Sequence, residues 1–263
     1  MSSTPKMDTE VKKQLEDFQK AAHEAAEEVL FRGFPAKILE LQALLNSTNS
    51  PSSIFHLSHA AKSTDATVYS SPPPTVPSSG GPDTKKRKLA HEEGVNGKAS
   101  ATLTAVNDTH NARYPSLMLS NQHVIQVHET VKRECEQLAE YCDKVKLWIN
   151  LAMPKIEDGD NFGVQIQEEV LSELHRSQES AYNIRDSARQ NFLTRAKLCS
   201  KIIKYPHVED YTLALKEHDE RQLYVARQNL YDIRNIYAIL TDILHKNINK
   251  IRSPKGNNST GMY

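Results

Sequence analysis

The sequence has few of the residues that interrupt helices or cross-link small domains: nine glycines, twelve prolines and three cysteines among 263 residues. The cysteines are too few, and odd in number, for a disulfide framework. Basic and acidic residues number 33 each, so the chain lacks the strong positive charge that is typical of nucleic-acid-binding domains. We therefore expect no direct nucleic-acid partner.

Long apolar runs are also missing. No stretch approaches the roughly 18 consecutive apolar residues of a membrane-spanning helix, so we expect no membrane partner. The N-terminal segment MSSTPKMDTE lacks the apolar stretch of a secretory signal peptide, which indicates a cytosolic or nuclear protein.

Four long windows contain neither glycine nor proline and are rich in strong helix formers: residues 6–32, 116–153, 164–205 and 207–253. Each is longer than the average globular helix of about 11–12 residues. The windows therefore predict an all-α, up-and-down bundle of four long helices. Gly33-Phe34-Pro35 predicts a break or kink in the first helix, which spans 8–45, and the other three helices belong to 121–263.

Apolar residues recur at alternating spacings of three and four in these windows, which indicates one buried seam per helix. The first seam contains Val11, Leu15, Phe18, Ala22, Ala25 and Val29. The second contains Val124, Val127, Val131, Cys135, Leu138, Cys142, Val145 and Ile149. The third is weaker and contains Ile166, Val170, Leu174, Ala181, Ile184 and Ala188, and the fourth contains Leu223, Ala226, Leu230, Ile233, Tyr237, Leu240 and Leu244.

The fourth window also has apolar residues off its seam, namely Ile236, Ile239 and Ile243. A helix in a simple bundle needs one apolar stripe. A second stripe indicates another neighbour, most simply a second subunit. The alternative is a helix that lies centrally within one bundle.

Residues 46–120 have a different composition. They hold seven of the twelve prolines, are rich in serine and glycine and are poor in aromatic residues. Such a segment cannot bury enough apolar surface to order itself, so we predict a long flexible loop between the first two helices. Within it, Lys85, Lys86, Arg87 and Lys88 form a compact basic run, which is either a site for a nuclear import receptor or a solvated charge cluster.

No catalytic, metal or cofactor motif is present. The chain lacks HExxH and the Glu-x-x-His pairs of di-iron bundles, and the two glycines of Gly94-Val95-Asn96-Gly97-Lys98 are too close together for a phosphate loop. Cys135 and Cys142 lie on the apolar seam, where small core residues are expected rather than nucleophiles. We expect no cofactor, no metal and no enzymatic activity.

Two stretches resemble the 11S (REG or PA28-type) proteasome activators, and most of all their gamma member. The first runs from Met153 to Glu169, and the second runs from Thr194 to Tyr211. Phe34 to Leu41, Ile233 to Ile248 and the position of the basic run add to the likeness.

The resemblance implies a heptameric ring of four-helix subunits that caps the 20S proteasome without ATP and opens its axial gate. The C-terminal tail, with Gly261, Met262 and Tyr263, would insert between proteasome α subunits. The loop between the second and third helices would press on the gate; its residues are Lys155, Ile156, Glu157, Asp158, Gly159, Asp160, Asn161, Phe162 and Gly163. The gamma likeness implies a nuclear protein, with the cytoplasm as a further location.

Two questions stay open at this level. The helical periodicity alone fits a structural scaffold or tether as well as an activator. Lys197, Lys201 and Lys204 share one face of the polar third helix, and this face either lines a central channel or faces outward into solvent.

Overall fold

The computed structural model describes residues 7–59, 119–155, 161–205 and 207–255. Helix α1 spans Thr9–Glu28 and continues through a π-helical turn at Val29–Gly33 into α2, Phe34–Ser47. Helices α3, α4 and α5 span Gln122–Ala152, Phe162–Lys204 and Glu209–Arg252. No strand occurs within these ranges, which confirms the predicted all-α fold with four long helical segments.

The core lies where α3 packs on α4, α4 on α5, and α5 on both α2 and α3. All eight predicted seam residues of α3 and all seven of α5 are buried. In α4, Val170, Leu174, Ala181 and Ala188 are buried, whereas Ile166 and Ile184 pack against the edge of the core. The alternating spacings therefore identified the buried faces of these three helices correctly.

The seam predicted for the first helix is wrong over its N-terminal half. Val11, Leu15 and Phe18 are 46%, 44% and 51% exposed, and every residue of α1 from 9 to 21 is exposed. Burial begins only at Ala22, and Ala26 rather than Ala25 enters the core. Periodicity marks an apolar face but does not show whether the same protomer covers it.

The helix runs without a break through the Gly33-Phe34-Pro35 segment, so of the predicted break or kink the break does not occur. Phe34 N–H donates to the Val29 carbonyl, a π-helical bond. The next bond of this pattern would join the Pro35 nitrogen to the Leu30 carbonyl, but proline has no N–H to donate. His245 of α5 donates its Nε2–H to that orphaned Leu30 carbonyl at 3.0 Å, so a side chain from another helix replaces the missing backbone donor.

The predicted flexible segment 46–120 begins too early. Residues 48–59 form turns that fold back on the bundle, and Phe55 is fully buried in the main core. The average composition of the segment did not indicate that Phe55 would be buried. Residues 60–118, with the basic run Lys85 to Lys88, lie outside the described residues.

The described residues just before and just after residues 60–118 lie side by side. The rings of His59 and His123 pack in a tilted arrangement with centroids 4.2 Å apart, and His123 Nε2 donates to the Ile54 carbonyl. Asn121 caps α3 by accepting hydrogen bonds from the N–H groups of His123 and Val124 at 3.1 Å. The turn after α2 and the start of α3 are therefore held together.

None of the described helices is both long enough and apolar enough to cross a membrane. Within the same residues, no group of three or more His, Cys, Asp or Glu side chains is arranged to hold a metal ion.

Candidate functional site at one end of the bundle

Three chain segments meet at one end of the bundle: the C-terminus of α3, the N-terminus of α4 and the C-terminus of α5. Because consecutive helices are antiparallel, the loop after α3 and the tail after α5 must leave the bundle at this same end. Of the predicted activation loop, Lys155 and Asn161 to Gly163 are described, and residues 156–160 are not. The predicted tail residues Gly261, Met262 and Tyr263 also lie outside the described residues.

Gly163 lies in the first turn of α4, directly against the backbone of Pro254. A Cβ atom added at Gly163 would lie 2.1 Å from the Pro254 carbonyl oxygen and 2.6 Å from its Cα. Real Cβ atoms essentially never approach other atoms within 3.0 Å, so only glycine allows this contact. The loop and the tail therefore touch through backbone atoms at the point where each leaves its helix.

Two hydrogen bonds join the same segments. Gln167, fully buried one turn after Gly163, donates its Nε2–H to the Ile251 carbonyl at 2.8 Å. That carbonyl belongs to the last turn of α5, where the backbone acceptors lack helical donors. Lys255 donates from Nζ to the Lys155 carbonyl at 3.3 Å, which links the tail to the other flank of the loop.

Phe162 is 56% exposed at this end, and Lys250 Nζ of α5 lies 6.0 Å from the centroid of its ring. A concave surface beside the ring is lined by Met153, Pro154 and Asn161. The loop flanks therefore present an apolar side chain and a groove toward whatever faces this end of the bundle.

The opposite end carries the predicted channel lysines. Lys197, Lys201 and Lys204 are exposed near the C-terminus of α4, and the last two place Nζ 5.6 Å and 5.2 Å from the centroid of the Tyr205 ring. Their shared face is as the helical spacing predicts. A position on a channel remains a prediction.

A buried polar cluster lies at this opposite end as well. Asp219 is fully buried and accepts from Arg195 Nε at 3.2 Å and from Asn121 Nδ2 at 2.9 Å. Arg195 also donates from Nη1 to the Leu119 carbonyl at 3.0 Å. The cluster fixes the described residues just before α3 against α4 and α5.

Cys135 and Cys142, the two seam cysteines, are buried as predicted. Burial raises the pKa of each thiol from 9.0 to about 12, because the low-dielectric core disfavours the thiolate. Both therefore stay protonated near neutral pH and are poor nucleophiles.

The sequence analysis missed Gln167, Pro254, Arg195 and Asp219 as organising residues. A usable pattern was present: Gln167 and Arg195 fall on the buried face of α4, which holds apolar residues together with the polar residues Ser177, Gln178 and Asn191. A polar side chain at such a position needs a hydrogen-bonding partner, since burial without one is costly.

Comparisons with known proteins place this arrangement in a family. The family model described as "Proteasome activator PA28, C-terminal" matches residues 117–261, and the model for the N-terminal part matches residues 9–59. Proteasome activator complex subunit 3 from Gallus gallus is 37% identical, and that from Homo sapiens is 36% identical. Both alignments cover the whole of each chain over 270 positions.

Solved structures agree with the fold. The 11S subunit of the Plasmodium falciparum proteasome, PA28, superposes with a TM-score of 0.69 at 29% identity, covering 97% of this chain and 100% of that one. An activator in complex with an archaeal 20S proteasome superposes with a TM-score of 0.61 at 10% identity, covering 96% of this chain and 99% of that one. This second likeness concerns the fold alone. The family models span both ends of the described bundle, and the chain belongs to the PA28 proteasome activator family.

Proposed function

We propose that this chain is an ATP-independent, non-catalytic activator of the 20S proteasome. The observation that carries the proposal is the placement of the predicted loop flanks and the start of the predicted tail in direct contact at one end of the bundle. An activator needs one surface that docks and one that acts on the gate, both facing the same partner. Family membership and the full-length likeness to proteasome activator complex subunit 3 support it.

In this proposal the subunits form a ring of seven. Heterologous contacts between neighbours can use the exposed apolar residues Val11, Leu15, Phe18 and Ile239. Such contacts close a ring when each subunit is rotated relative to the next by the same fraction of a full turn. Of the second stripe on α5, Ile236 and Ile243 already pack against the core of their own protomer. The support from α5 for a neighbouring subunit therefore comes down to Ile239.

The tail and the loop have separate tasks in this proposal. The tail residues Gly261, Met262 and Tyr263 dock between proteasome α subunits, where the terminal carboxylate pairs with a lysine. One such contact is weak, but seven on one ring bind with avidity. The loop from Lys155 to Gly163 displaces the gate-forming segments of the docked α ring.

Two further parts complete the proposal. The basic run Lys85 to Lys88 binds an import receptor and directs the protein to the nucleus. The exposed face of Lys197, Lys201 and Lys204 lines the channel of the ring and favours acidic peptides through its positive charge.

The test combines oligomer mass with proteasome stimulation. We expect native mass spectrometry of the full chain to give seven subunits without nucleotide, and we expect the ring to increase hydrolysis of a fluorogenic peptide by the 20S proteasome. Deletion of Met262 and Tyr263 should abolish co-sedimentation with the proteasome. A monomer or dimer at micromolar concentration, with unchanged peptide turnover, would refute the proposal and favour a structural scaffold.

A further inference from the structure

The start of the C-terminal segment contacts both flanks of the loop that joins α3 to α4. Three contacts are involved: Gln167 with Ile251, Gly163 with Pro254, and Lys155 with Lys255. We refer to these three contacts as the latch. The latch fixes the last described residues after α5, up to residue 255.

Each contact of the latch uses the backbone of one of the two segments. Gln167 and Lys255 each donate a side-chain hydrogen bond to a backbone carbonyl, and Gly163 lies against the carbonyl and Cα of Pro254. A bond to the backbone fixes the path of the chain rather than the rotamer of a side chain. The latch therefore sets where the loop flanks lie relative to the start of the tail.

Gly163 has the tightest tolerance of the three. Relief of the 2.1 Å approach to an ordinary contact near 3.4 Å needs a movement of at least about 1 Å. The atoms in the way are backbone atoms of Pro254, whose ring also fixes φ, so a flexible side chain cannot absorb the change. A methyl group at Gly163 must separate the start of α4 from the start of the tail.

We propose that Gly163 is a positioning residue for gate opening, because its contact with Pro254 makes the docked tail define the position from which the loop flanks act. This inference rests on the proposed function. It adds that docking and opening are mechanically joined within each subunit, at a site separate from both the terminal residues and the tip of the loop.

The test measures two quantities for Gly163→Ala and the parent ring. The first is the ring concentration that gives half-maximal stimulation, which reports docking. The second is peptide turnover at a saturating ring concentration, which reports opening. Glu169→Ala is the matched control, because Glu169 is exposed one to two turns further along α4 and bonds only the Gln165 side chain among the described contacts.

We expect Gly163→Ala to dock with the parent's half-saturation and to lose about tenfold in maximal turnover. A tenfold loss of turnover corresponds to about 1.4 kcal/mol. A small contribution from the displaced loop flanks of each of the seven subunits is enough to reach this free energy. Glu169→Ala should match the parent in both quantities. Because alanine favours helix over glycine, a lower helix propensity cannot explain a loss in Gly163→Ala.

Three results would overturn the inference. Unchanged maximal turnover would show that the contact does not position the loop. A higher half-saturating ring concentration together with lower maximal turnover would assign Gly163 to docking alone. If the parent ring itself gives no stimulation, the proposed function fails, and that result is distinguishable because it does not depend on the variant.

A second variant keeps the test decisive if Gly163→Ala does not assemble. Lys255→Met removes the hydrogen bond to the Lys155 carbonyl at an exposed position, so folding should be unaffected. We expect the same pattern with a smaller loss in maximal turnover and the parent's half-saturation. Parent-like turnover in Lys255→Met would then overturn the inference.

Discussion

Replacement of Asp219 by Asn should destabilise the protein by about 3 kcal/mol. The substitution keeps the side-chain volume but removes the counter-charge of Arg195, whose side chain is 8% exposed while that of Asp219 is fully buried. It also places an amide NH₂ where Arg195 Nε or Asn121 Nδ2 now donates to a carboxylate oxygen. Removal of one partner from a buried ion pair typically costs about 3–5 kcal/mol.

The lower end of that range applies because Arg195 keeps one partner. Its Nη1 still donates to the Leu119 carbonyl at 3.0 Å, so the guanidinium is not fully orphaned. The same α4 helix offers a matched control in Asp186, which pairs with Arg189 through Nε at 2.8 Å but is 49% exposed. Exposed ion pairs contribute little to stability, so Asp186→Asn should change stability only slightly.

The assay is urea unfolding followed by the fluorescence of Trp148, which is buried in α3. All variants must be compared at one protein concentration, since assembly stabilises the folded subunit by mass action. Replacement of both partners by apolar residues, in Arg195→Met with Asp219→Leu, should recover part of the loss because no unpaired charge remains. If Asp219→Asn unfolds within about 0.5 kcal/mol of the parent, the buried pair does not stabilise the fold.

Three other outcomes are expected. Burial lowers the pKa of His128 below 6.5, so the unfolded chain takes up the proton first and stability should fall as pH drops below about 6.5; the urea midpoint should move less between pH 7.5 and 5.5 in His128→Gln. The two seam cysteines should resist iodoacetamide at pH 8 until urea unfolds the chain, and stability should decline above pH 9, where only unfolded thiols ionise, toward about pH 12. His245→Ala should cost about 1–3 kcal/mol because it leaves the Leu30 carbonyl unpaired, whereas the exposed His175→Ala should be nearly neutral in the same melt.

The sequence predicted the fold where one physical effect dominates. The seams of α3 and α5 were identified residue by residue, because a long helix inside a bundle must bury one stripe and the spacing of apolar residues records which stripe it is. The predicted activation loop rests on the resemblance to a family, and its described flanks lie at the end of the bundle where an antiparallel topology puts them.

The sequence predicted less where two distant segments combine. The helix crosses Pro35 because His245, more than 200 positions later, supplies the missing donor. Phe55 anchors a turn within a serine- and proline-rich stretch whose average composition indicates disorder. Val11, Leu15 and Phe18 form a valid apolar stripe that none of the described helices of the same protomer covers. Each case depends on a neighbour that local periodicity does not contain.

Two buried polar residues near opposite ends of α4 hold different parts of the chain in place. Gln167 lies near one end of the helix and holds the start of the tail, whereas Arg195 lies near the other end and holds the chain before α3. The 28 positions that separate them span about 42 Å of helix. The buried polar residues between them bond to other helices, Gln178 to the Ala139 carbonyl of α3 and Asn191 to His218 of α5, and not to one another.

The two ends should therefore respond independently. We expect Asp219→Asn to increase hydrogen exchange at residues 119–124 while the assembled ring keeps its maximal stimulation of peptide turnover. Gly163→Ala should lower maximal turnover and leave hydrogen exchange at residues 119–124 unchanged, because sites more than about 10 Å apart without shared partners act additively. The double variant should then show the sum of the two effects in each assay. If Asp219→Asn lowers maximal turnover in rings of full mass, or if the double variant departs from additivity, the middle of α4 transmits strain between its ends and the two ends are not independent.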